Sequence, residues 1–594
     1  LGDVQAGTGQ YTTFSVGNGS KDSAVGKDGD GKLVANPNPG KLTPVTDSSA
    51  SGSAWATGTK TYNNAVDVDI YGNPQLNLFE LAKAAGKATG NVTTAEIQDA
   101  TPAVLESHSS ERACYGPQGK TDGTSNNASK QCLINQLKEN GGIGSISEQL
   151  LDTRADVTIG GGSKYFRQTV QGGEYKGKTV WEQAKEMGFQ TVENDPAAMN
   201  ALQYKDGQPA LALMSDGNMP TKFNPSKATA KDPAKDANPT VCTPNADWLG
   251  NQGSSLKDMT KKALDLLNDN PNGQKNGFFL QVEGASIDKQ DHAGNACGQI
   301  GETDDFDQAI AYAMQNVDLT NTLVIVTADH AHTSQILNAQ PAYALSTVLK
   351  TADGNNMVVS YGTAQDDSRD ADGGYNGGDM EHTGTQLRIA AYGPHAANVV
   401  GLTDQTDNFY TIAGALGLAT STESQKALSD NGTVKVSAAD GKFTADVDGF
   451  NGDAVLSYEL KDKNDKTVAA SDSSTPLSGV RVKTAQTTPI ALDGVTEGSE
   501  YKLTVTGRQS GKAVTVDFQA PAANSADKNN GKPGADKNGL IASCKVNNDT
   551  KAGPFGAALL GKTGTAVLAA AVAIAMLVAV AMLIKTAKAA KNDR

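Results

Sequence analysis

Apolar runs that suit buried strands alternate with helical patterns over residues 8 to about 418. Residues 322–327 form a run that predicts a fully buried strand, and residues 256–267 have the apolar spacing of an amphipathic helix. This alternation predicts an α/β fold in which helices flank a sheet. Ligands of such sheets gather beyond the carboxyl ends of the strands, so the chemistry is expected where apolar runs lead into Glu283 and Asp329.

The pattern changes after about residue 421 to short alternating strands, at 433–437, 442–447, 455–460, 501–506 and 513–518. They predict a small β-sandwich over residues 430–520. Residues 492–505, which include Tyr501, resemble the tyrosine-corner region of fibronectin type III and related immunoglobulin-like domains. Residues 521–560 are rich in Asn, Lys and Gly without periodicity, and are predicted to form a flexible stalk.

Residues 566–584 contain no charge or strong polar group. At about 1.5 Å per residue they are long enough for a transmembrane helix across about 30 Å of hydrocarbon. The basic tail, residues 585–594, is then expected in the cytoplasm, with everything before the helix outside the cell membrane. Residues 560–564 resemble a Gram-positive sortase signal in which Gly replaces the usual Pro, so membrane anchoring and cell-wall attachment both stay open.

The net charge of −15 argues against a nucleic-acid partner, because it would repel a phosphate backbone. A hydrophobic fraction of 38% supports a packed core, and five cysteines are too few for a disulfide scaffold. The chain begins at Leu1 without an export leader, so its N-terminus is expected to be incomplete.

The chain has six histidines, and four of them lie in three acidic motifs, residues 283–292, 329–332 and 381–384. Asp288 and His292 are four residues apart, as on one face of a helix. One such histidine alone is most often structural. Imidazoles grouped with carboxylates, without thiolates, instead indicate a catalytic zinc site with an open coordination position.

Ser48 lies in a small-residue segment, residues 47–54, that follows the apolar run 42–45. This places Ser48 near a helix N-terminus, where free N–H groups favour an anion. A lone serine in that place is usually a helix cap. Beside two divalent cations, the same hydroxyl could be deprotonated and attack phosphorus.

Residues 46–63, 94–102, 114–117, 281–303, 327–336 and 381–410 resemble the bacterial alkaline phosphatases, which are exported zinc–magnesium enzymes. The resemblance covers residues 1 to about 418, so we assign 1–420 to the catalytic domain. It implies hydrolysis of small phosphate monoesters through a phosphoserine, with two Zn²⁺ and one Mg²⁺. It also suggests a homodimer.

The resemblance implies a role for each matching residue. Ser48 would be the nucleophile, and Arg112 would hold two phosphate oxygens, as a planar guanidinium does well. The first zinc would be bound by Asp288, His292 and His382, the second by Asp329 and His330, and the magnesium by Thr101 and Glu283. Asp99 and Lys289 would act on metal-bound water and phosphate, and His332 would support the zinc cluster.

The resemblance further implies two disulfides, Cys114–Cys132 and Cys242–Cys297, which leaves Cys544 free or linking two chains. One family feature has no counterpart: an Asp that bridges the second zinc and the magnesium, in a Gly-Asp-Gly-Met-Gly-like motif. The family carries this Asp well upstream of a Thr-Gly-Gln-Tyr segment, which residues 8–11 resemble, and Asp3 lies only five residues before Thr8, too close to replace it. We therefore expect an N-terminally truncated chain that binds its second zinc and magnesium poorly and has impaired activity.

Two other functions stay open. Phosphodiesterases and sulfatases of the same superfamily share the histidine motifs, although Arg112 together with Thr101 and Glu283 favours a monoester, whose dianion needs charge on every oxygen. The chain could also be a surface adhesin that works through the sandwich and retains an inactive phosphatase domain. The sequence identifies neither the physiological ester nor a partner of the sandwich.

Overall fold

The computed structural model describes residues 6–17, 26–27, 33–34, 40–118, 132–364, 380–521 and 539–546. The chain divides into two units, Leu1–Val546 and Asn547–Arg594. The second unit lies outside the described residues, and so do the proposed sortase signal, the predicted transmembrane helix of residues 566–584 and the tail. In the part of the chain that is described, no helix is both long and apolar enough to span a membrane.

A parallel sheet of five strands forms the centre of the α/β region, which comprises the described residues up to Leu418. Its strands follow the order Phe278–Glu283, Ala88–Glu96, Val157–Gly161, Ala210–Leu213 and Gln190–Glu193. The Leu256–Asp269 helix begins at a capping box of Ser255 and Asp258 and buries its apolar face against this sheet. The predicted helix and the predicted α/β fold are therefore confirmed.

A second, mixed sheet has the strand order Val324–Val326, Leu387–Tyr392, Ala6–Thr12 and Gly401–Asp404. The predicted strand at 322–327 exists, but the prediction of full burial is wrong, because Val324–Val326 is only half-buried. It is an edge strand: among the described residues it pairs with Leu387–Tyr392 alone. Phe278–Glu283, at the edge of the parallel sheet, is half-buried for the same reason.

Shorter elements complete the α/β region. The other α-helices are Ser48–Thr57, Leu78–Ala84, Ala100–Ala103, Ile146–Thr153, Ser163–Phe166, Val180–Glu186, Pro196–Ala201, Ala234–Ala237, Pro271–Asn276, Ser286–His292, Ala296–Asn316 and Gln405–Leu416; Thr422–Ala427 follows them. The other strands are Ser15–Val16, Gly26–Lys27, Leu33–Val34, Leu42–Thr43, Ala331–His332, Ser334–Leu337, Leu345–Lys350, Asn356–Tyr361 and His382–Thr383. The disulfides Cys114–Cys132 and Cys242–Cys297 are formed as the resemblance implies.

Two antiparallel sheets, which we call the C-terminal sheets, follow the α/β region. One contains Thr467–Ala470, Val455–Asp462, Glu500–Gly507 and Ala513–Gln519, with Val480–Arg481 paired to Val455–Asp462; the other contains Thr488–Ala491, Lys442–Asp448, Thr433–Ala439 and Gly539–Lys545. Their inward side chains, among them Val436, Leu503 and Val516, form one apolar cluster. All five strands that the alternation predicts are present, each slightly longer than predicted.

The tyrosine corner and part of the predicted stalk are visible in these sheets. The Tyr501 hydroxyl accepts a hydrogen bond from the Thr496 amide at 2.7 Å, as a tyrosine corner requires. Residues Gly539–Lys545, predicted as flexible stalk, instead form a strand paired with Thr433–Ala439, because Ile541 packs on the apolar cluster. Cys544 lies on this strand as an exposed, free cysteine.

Candidate active site

Ser48 is the first residue of the Ser48–Thr57 helix. Asp47 caps this helix by accepting a hydrogen bond from the Ala50 amide at 2.9 Å, and Gly58 ends it in the left-handed conformation, with φ 74°. The helix packs closely: a Cβ at Gly52 would lie 2.9 Å from the Val104 side chain. The Ser48 hydroxyl is thereby fixed at a helix N-terminus, 2.8 Å from His330 Nε2.

Arg112 reaches the same place from a different segment. Its Nη1 lies 3.2 Å from Asp47 Oδ2, and its Nη2 lies 2.7 Å from Asp99 Oδ1. Lys289 Nζ lies 2.6 Å from the other Asp99 oxygen, and the Tyr115 hydroxyl donates to Asp99 Oδ1 at 2.9 Å. Burial opposes the Arg112 charge, but Asp99 and Asp47 outweigh it and raise the pKa of Arg112. One carboxylate thus holds two cations in place near Ser48.

Four histidine rings surround the Asp288 carboxylate. Asp288 Oδ1 lies 2.5 Å from His332 Nε2, 3.4 Å from His292 Nε2, 3.4 Å from His382 Nε2 and 3.8 Å from His330 Nε2. The strand pair Ala331–His332 and His382–Thr383 sets His332 opposite His382. Asp288, His330, His332 and His382 offer ligand atoms that all lie within 4.8 Å of one another.

The tautomers of two of these histidines indicate a cation site. His292 Nδ1 lies 2.5 Å from the Met380 carbonyl oxygen, and His382 Nδ1 lies 2.9 Å from the Thr46 carbonyl oxygen. Each Nδ1–H therefore donates to a carbonyl, which leaves the Nε2 lone pairs facing each other at 2.9 Å. A cation would relieve that repulsion, and such hydrogen bonds to carbonyls are typical of metal-binding histidines.

Asp329 and His330 form a second pair of donor groups, and His330 Nε2 lies 3.2 Å from Asp329 Oδ2. Burial lowers the pKa of His330 to about 4, so the ring is neutral and can act as a ligand. Ser51 donates to Asp329 Oδ2 at 3.4 Å, which orients the carboxylate from inside the Ser48–Thr57 helix. Imidazole and carboxylate donors of this kind fit zinc.

Glu283 stands at the end of the Phe278–Glu283 strand, where the sequence places it. It accepts a hydrogen bond from the Thr93 hydroxyl at 2.6 Å, and burial raises the pKa of Glu283 to about 7. A nearby cation would favour its charged form. Oxygen donors such as Thr101 and Glu283 suit magnesium.

The structure brings all twelve predicted site residues together. Eight of them line one cavity: Ser48, Asp99, Thr101, Arg112, Glu283, Asp288, Lys289 and Asp329. The other four are the histidines around Asp288. Three contributors to the geometry have no role in the sequence-based prediction, namely Asp47, Thr93 and Tyr115. Of these, only Asp47 has a local signal, because it stands directly before a helix start.

In this α/β fold, imidazole and carboxylate groups that could hold a metal lie beside a serine and an arginine, an arrangement suited to a metal-dependent hydrolase. A family model for alkaline phosphatase matches residues 34–418. The chain is 50% identical to the alkaline phosphatase of Escherichia coli (strain K12) over 414 residues, 69% of this chain and 78% of that protein. The chain belongs to the alkaline phosphatase family and is an enzyme, a phosphoric monoester hydrolase.

Two further relatives cover a similar share of the chain. Alkaline phosphatase H of Pseudomonas aeruginosa (strain UCBPP-PA14) is 49% identical over 422 residues, 69% of this chain and 77% of that protein. Streptomycin-6-phosphate phosphatase of Streptomyces griseus is 40% identical over 389 residues, 64% of this chain and 80% of that protein. Each of the three similarities spans about two thirds of this chain.

Proposed function

We propose that the chain hydrolyses small phosphate monoesters through a phosphoserine intermediate at Ser48. The observation that supports this most strongly is the position of the Ser48 hydroxyl, at a helix N-terminus, beside His330 and in one cavity with Arg112. The phosphoryl group would lie in that cavity. There Arg112 would hold two of its oxygens, and Lys289 would add positive charge.

The reaction proceeds in two displacements at phosphorus. The Ser48 oxygen attacks phosphorus, the bond from phosphorus to the ester oxygen breaks, and the alcohol leaves with a proton. Water then attacks the phosphoserine, the Ser48 oxygen leaves and regains a proton, and inorganic phosphate is released. Because Asp99 fixes both Arg112 and Lys289, their charge is already in place when negative charge develops on the phosphoryl oxygens.

The proposed cofactors are two zinc ions and one magnesium ion. Asp288, His292 and His382 would hold the first zinc, Asp329 and His330 the second, and Thr101 with Glu283 the magnesium. His332 would support the zinc cluster through its contact with Asp288. When bound, such cations stabilise negative charge on oxygen and lower the pKa of water.

We also propose that this chain binds the second zinc and the magnesium weakly, and that it is therefore less active than a chain that has the bridging aspartate. The bridging aspartate that the family resemblance calls for has no match in the sequence. Only Asp329 and His330 are then assigned to the second zinc. Equilibrium dialysis should show one tight zinc per chain and weaker binding of the other ions; three tight sites would contradict this proposal.

The proposed location is the outer face of the cell membrane or the cell wall, with residues 566–584 as the anchor and a homodimer as the possible assembly. The two disulfides support an oxidising compartment. Cell fractionation tests this location. Release of activity by detergent would support a membrane anchor, release only by a wall hydrolase would support sortase attachment, and cytosolic activity would contradict both.

A comparison of substrates tests the reaction. The metal-loaded chain should hydrolyse p-nitrophenyl phosphate far faster than bis-p-nitrophenyl phosphate or p-nitrophenyl sulfate. The reason is that the positive charges of Arg112 and Lys289, which share the cavity with Ser48, balance the two negative charges of a phosphate monoester. Ser48→Ala serves as the matched inactive variant. A preference for the diester or the sulfate would refute the monoesterase assignment.

A further inference from the structure

Arg481 belongs to the C-terminal sheets, but its side chain ends inside the α/β region. It lies on the Val480–Arg481 strand and is only 5% exposed. Its Nη2 donates to Glu80 Oε1 at 2.6 Å and to Thr153 Oγ1 at 3.1 Å, and its Nη1 donates to the Ala454 carbonyl oxygen. A buried guanidinium therefore joins the two parts of the molecule. It lies beyond residues 34–418, to which the family model extends.

Glu80 connects Arg481 to His108. Glu80 is 2% exposed and His108 is fully buried. His108 Nε2 lies 2.9 Å from Glu80 Oε1, and His108 Nδ1 lies 2.9 Å from the Asp67 carbonyl oxygen, so both ring nitrogens face acceptors. Burial alone would raise the pKa of Glu80, but the charges of His108 and Arg481 outweigh it and lower that pKa to about 2. The Glu80 carboxylate is therefore ionised, and it contacts both the Arg481 guanidinium and the His108 ring.

The backbone that follows His108 leads directly to Arg112. The Ser109 amide donates to the Val66 carbonyl at 2.9 Å, and the Val66 amide donates to the Ser109 carbonyl at 2.8 Å. The Arg112 amide donates to the Asn64 carbonyl at 2.7 Å. His108 thus fixes one end of a short segment, residues 108–112, and the Arg112 guanidinium extends from the other end into the cavity.

A parallel connection reaches the helix that carries Ser48. The Asp67 amide donates to Ser53 Oγ at 2.8 Å, and Ser53 Oγ donates to the Ser49 carbonyl oxygen at 2.8 Å. Asp67 is the residue whose carbonyl accepts the His108 hydrogen bond. His108 therefore begins the segment that carries Arg112 and also contacts Asp67, which is hydrogen-bonded to the helix that carries Ser48.

We propose that Arg481 is a positioning residue for the phosphate site: by holding Glu80, and through it His108, it fixes residues 108–112 and hence the Arg112 guanidinium. This inference rests on the proposed role of Arg112 in binding phosphate. Removal of Arg481 would leave the buried Glu80 charge with one partner fewer, so the His108 ring and the segment after it would lose their fixed position.

The experiment compares Arg481→Met and Arg481→Lys with Lys483→Met in the full chain loaded with zinc and magnesium. Lys483 is the matched control, because its Nζ lies 3.8 Å from Glu174 Oε2 of the α/β region, whereas the ion-pair partners of Glu80 are His108 and Arg481. Two quantities are measured well below the unfolding temperature. One is hydrogen–deuterium exchange in peptides covering residues 106–115, and the other is the Kd of inorganic phosphate.

For Arg481→Met we expect about tenfold faster exchange in these peptides and a phosphate Kd raised about tenfold. Arg481→Lys keeps the positive charge but loses the planar guanidinium with its several N–H donors. We expect it to change the exchange rate and the phosphate Kd by about threefold each. Lys483→Met should leave both unchanged. If Arg481→Met does not fold, Arg481→Lys decides the question by the same two measurements.

A lower Tm with unchanged exchange and unchanged phosphate Kd would overturn the inference, because Arg481 would then stabilise the fold without positioning Arg112. Faster exchange with an unchanged phosphate Kd would overturn it as well. If the wild-type chain neither binds phosphate nor hydrolyses monoesters, the proposed function fails instead, and the exchange measurement still shows whether Arg481 holds residues 108–112.

Discussion

At the scale of single residues, the close approach of His292 and His382 points to a cation between them. His292 Nε2 and His382 Nε2 lie 2.9 Å apart while each Nδ1 donates to a carbonyl oxygen, so a shared cation would relieve the repulsion between their lone pairs. Asp288 lies on the same side, 3.4 Å from each. Asp288, His292 and His382 are the ligands that we propose for the first zinc.

Asp288→Ala should accordingly remove about one tightly bound zinc ion per chain, measured by atomic absorption after dialysis. His332→Ala is the control. His332 Nε2 lies 2.5 Å from Asp288 Oδ1 and supports this ligand. Its loss should lower the zinc affinity about 10- to 100-fold, while the number of zinc ions bound at saturation stays the same. An unchanged zinc content in Asp288→Ala would contradict the assignment.

Glu106 makes stability depend on pH without touching the active site. Burial raises its pKa to about 8 from the ordinary 4.5, although Asn91 and Thr158 donate hydrogen bonds to it. Between about pH 4.5 and pH 8, the Glu106 carboxyl is protonated in the folded chain and ionised in the unfolded chain. Stability therefore falls as pH rises from about 4.5 to about 8, and the loss is complete above that range.

Glu106→Gln removes the titrating group and should raise the Tm at pH 9 by several degrees more than at pH 5. Glu193→Gln is the control, because Glu193 forms an exposed ion pair with Arg167 and should show no such dependence. The same Tm change at both pH values in Glu106→Gln would contradict the pKa argument.

Residue types and spacing alone indicate the four histidines, their neighbouring carboxylates and Ser48, because rare histidines beside carboxylates carry a strong signal. Arg112, Thr101, Asp99 and Lys289 are predicted only through the family resemblance. Thr93 and Tyr115 could not be predicted from residue types and spacing. Each acts through one hydrogen bond, to Glu283 and to Asp99 respectively, that exists only after distant segments pack together. Spacing along the chain does not contain that information.

At the scale of elements, the sequence predicts where a strand lies along the chain better than it predicts which strands flank it in the sheet. The apolar run at 322–327 has the composition of a buried strand, but burial depends on how many strands flank it, and Val324–Val326 has one such neighbour among the described residues. The strand Gly539–Lys545 is not predicted, because it lies within a segment whose Asn, Lys and Gly content indicates a flexible stalk. It forms because Ile541 packs on the apolar cluster and the sheet edge of Thr433–Ala439 provides hydrogen bonds.

The Tyr501 hydroxyl joins the loop before the Glu500–Gly507 strand to that strand. Tyr501→Phe leaves the Thr496 amide without its acceptor and should lower the free energy of unfolding by about 1–3 kcal/mol. Chemical denaturation measures this loss. Tyr458→Phe, a half-buried tyrosine of the neighbouring strand, is the control. If the two variants lose equal stability, the corner hydrogen bond has no special role.

At the scale of the whole molecule, the C-terminal sheets and the α/β region share buried contacts. Ala454, Val455 and Leu477 of the C-terminal sheets belong to the same apolar cluster as Phe79 and Ile146 of the α/β region. Arg481 adds a buried ion pair across this junction. The alternating pattern predicts the strands of the C-terminal sheets, but it does not predict this junction, because the contacts join residues far apart in sequence.

Ser48 is the residue that we propose receives the phosphoryl group. The most direct measurement is an acid quench of the metal-loaded chain mixed with a phosphate monoester, followed by mass spectrometry of its peptides. We predict a phosphorylated peptide in which Ser48 carries the phosphate, and no such peptide in Ser48→Ala, which should lose at least about a thousandfold in kcat. Phosphate on another residue, or hydrolysis that persists in Ser48→Ala, would contradict the account.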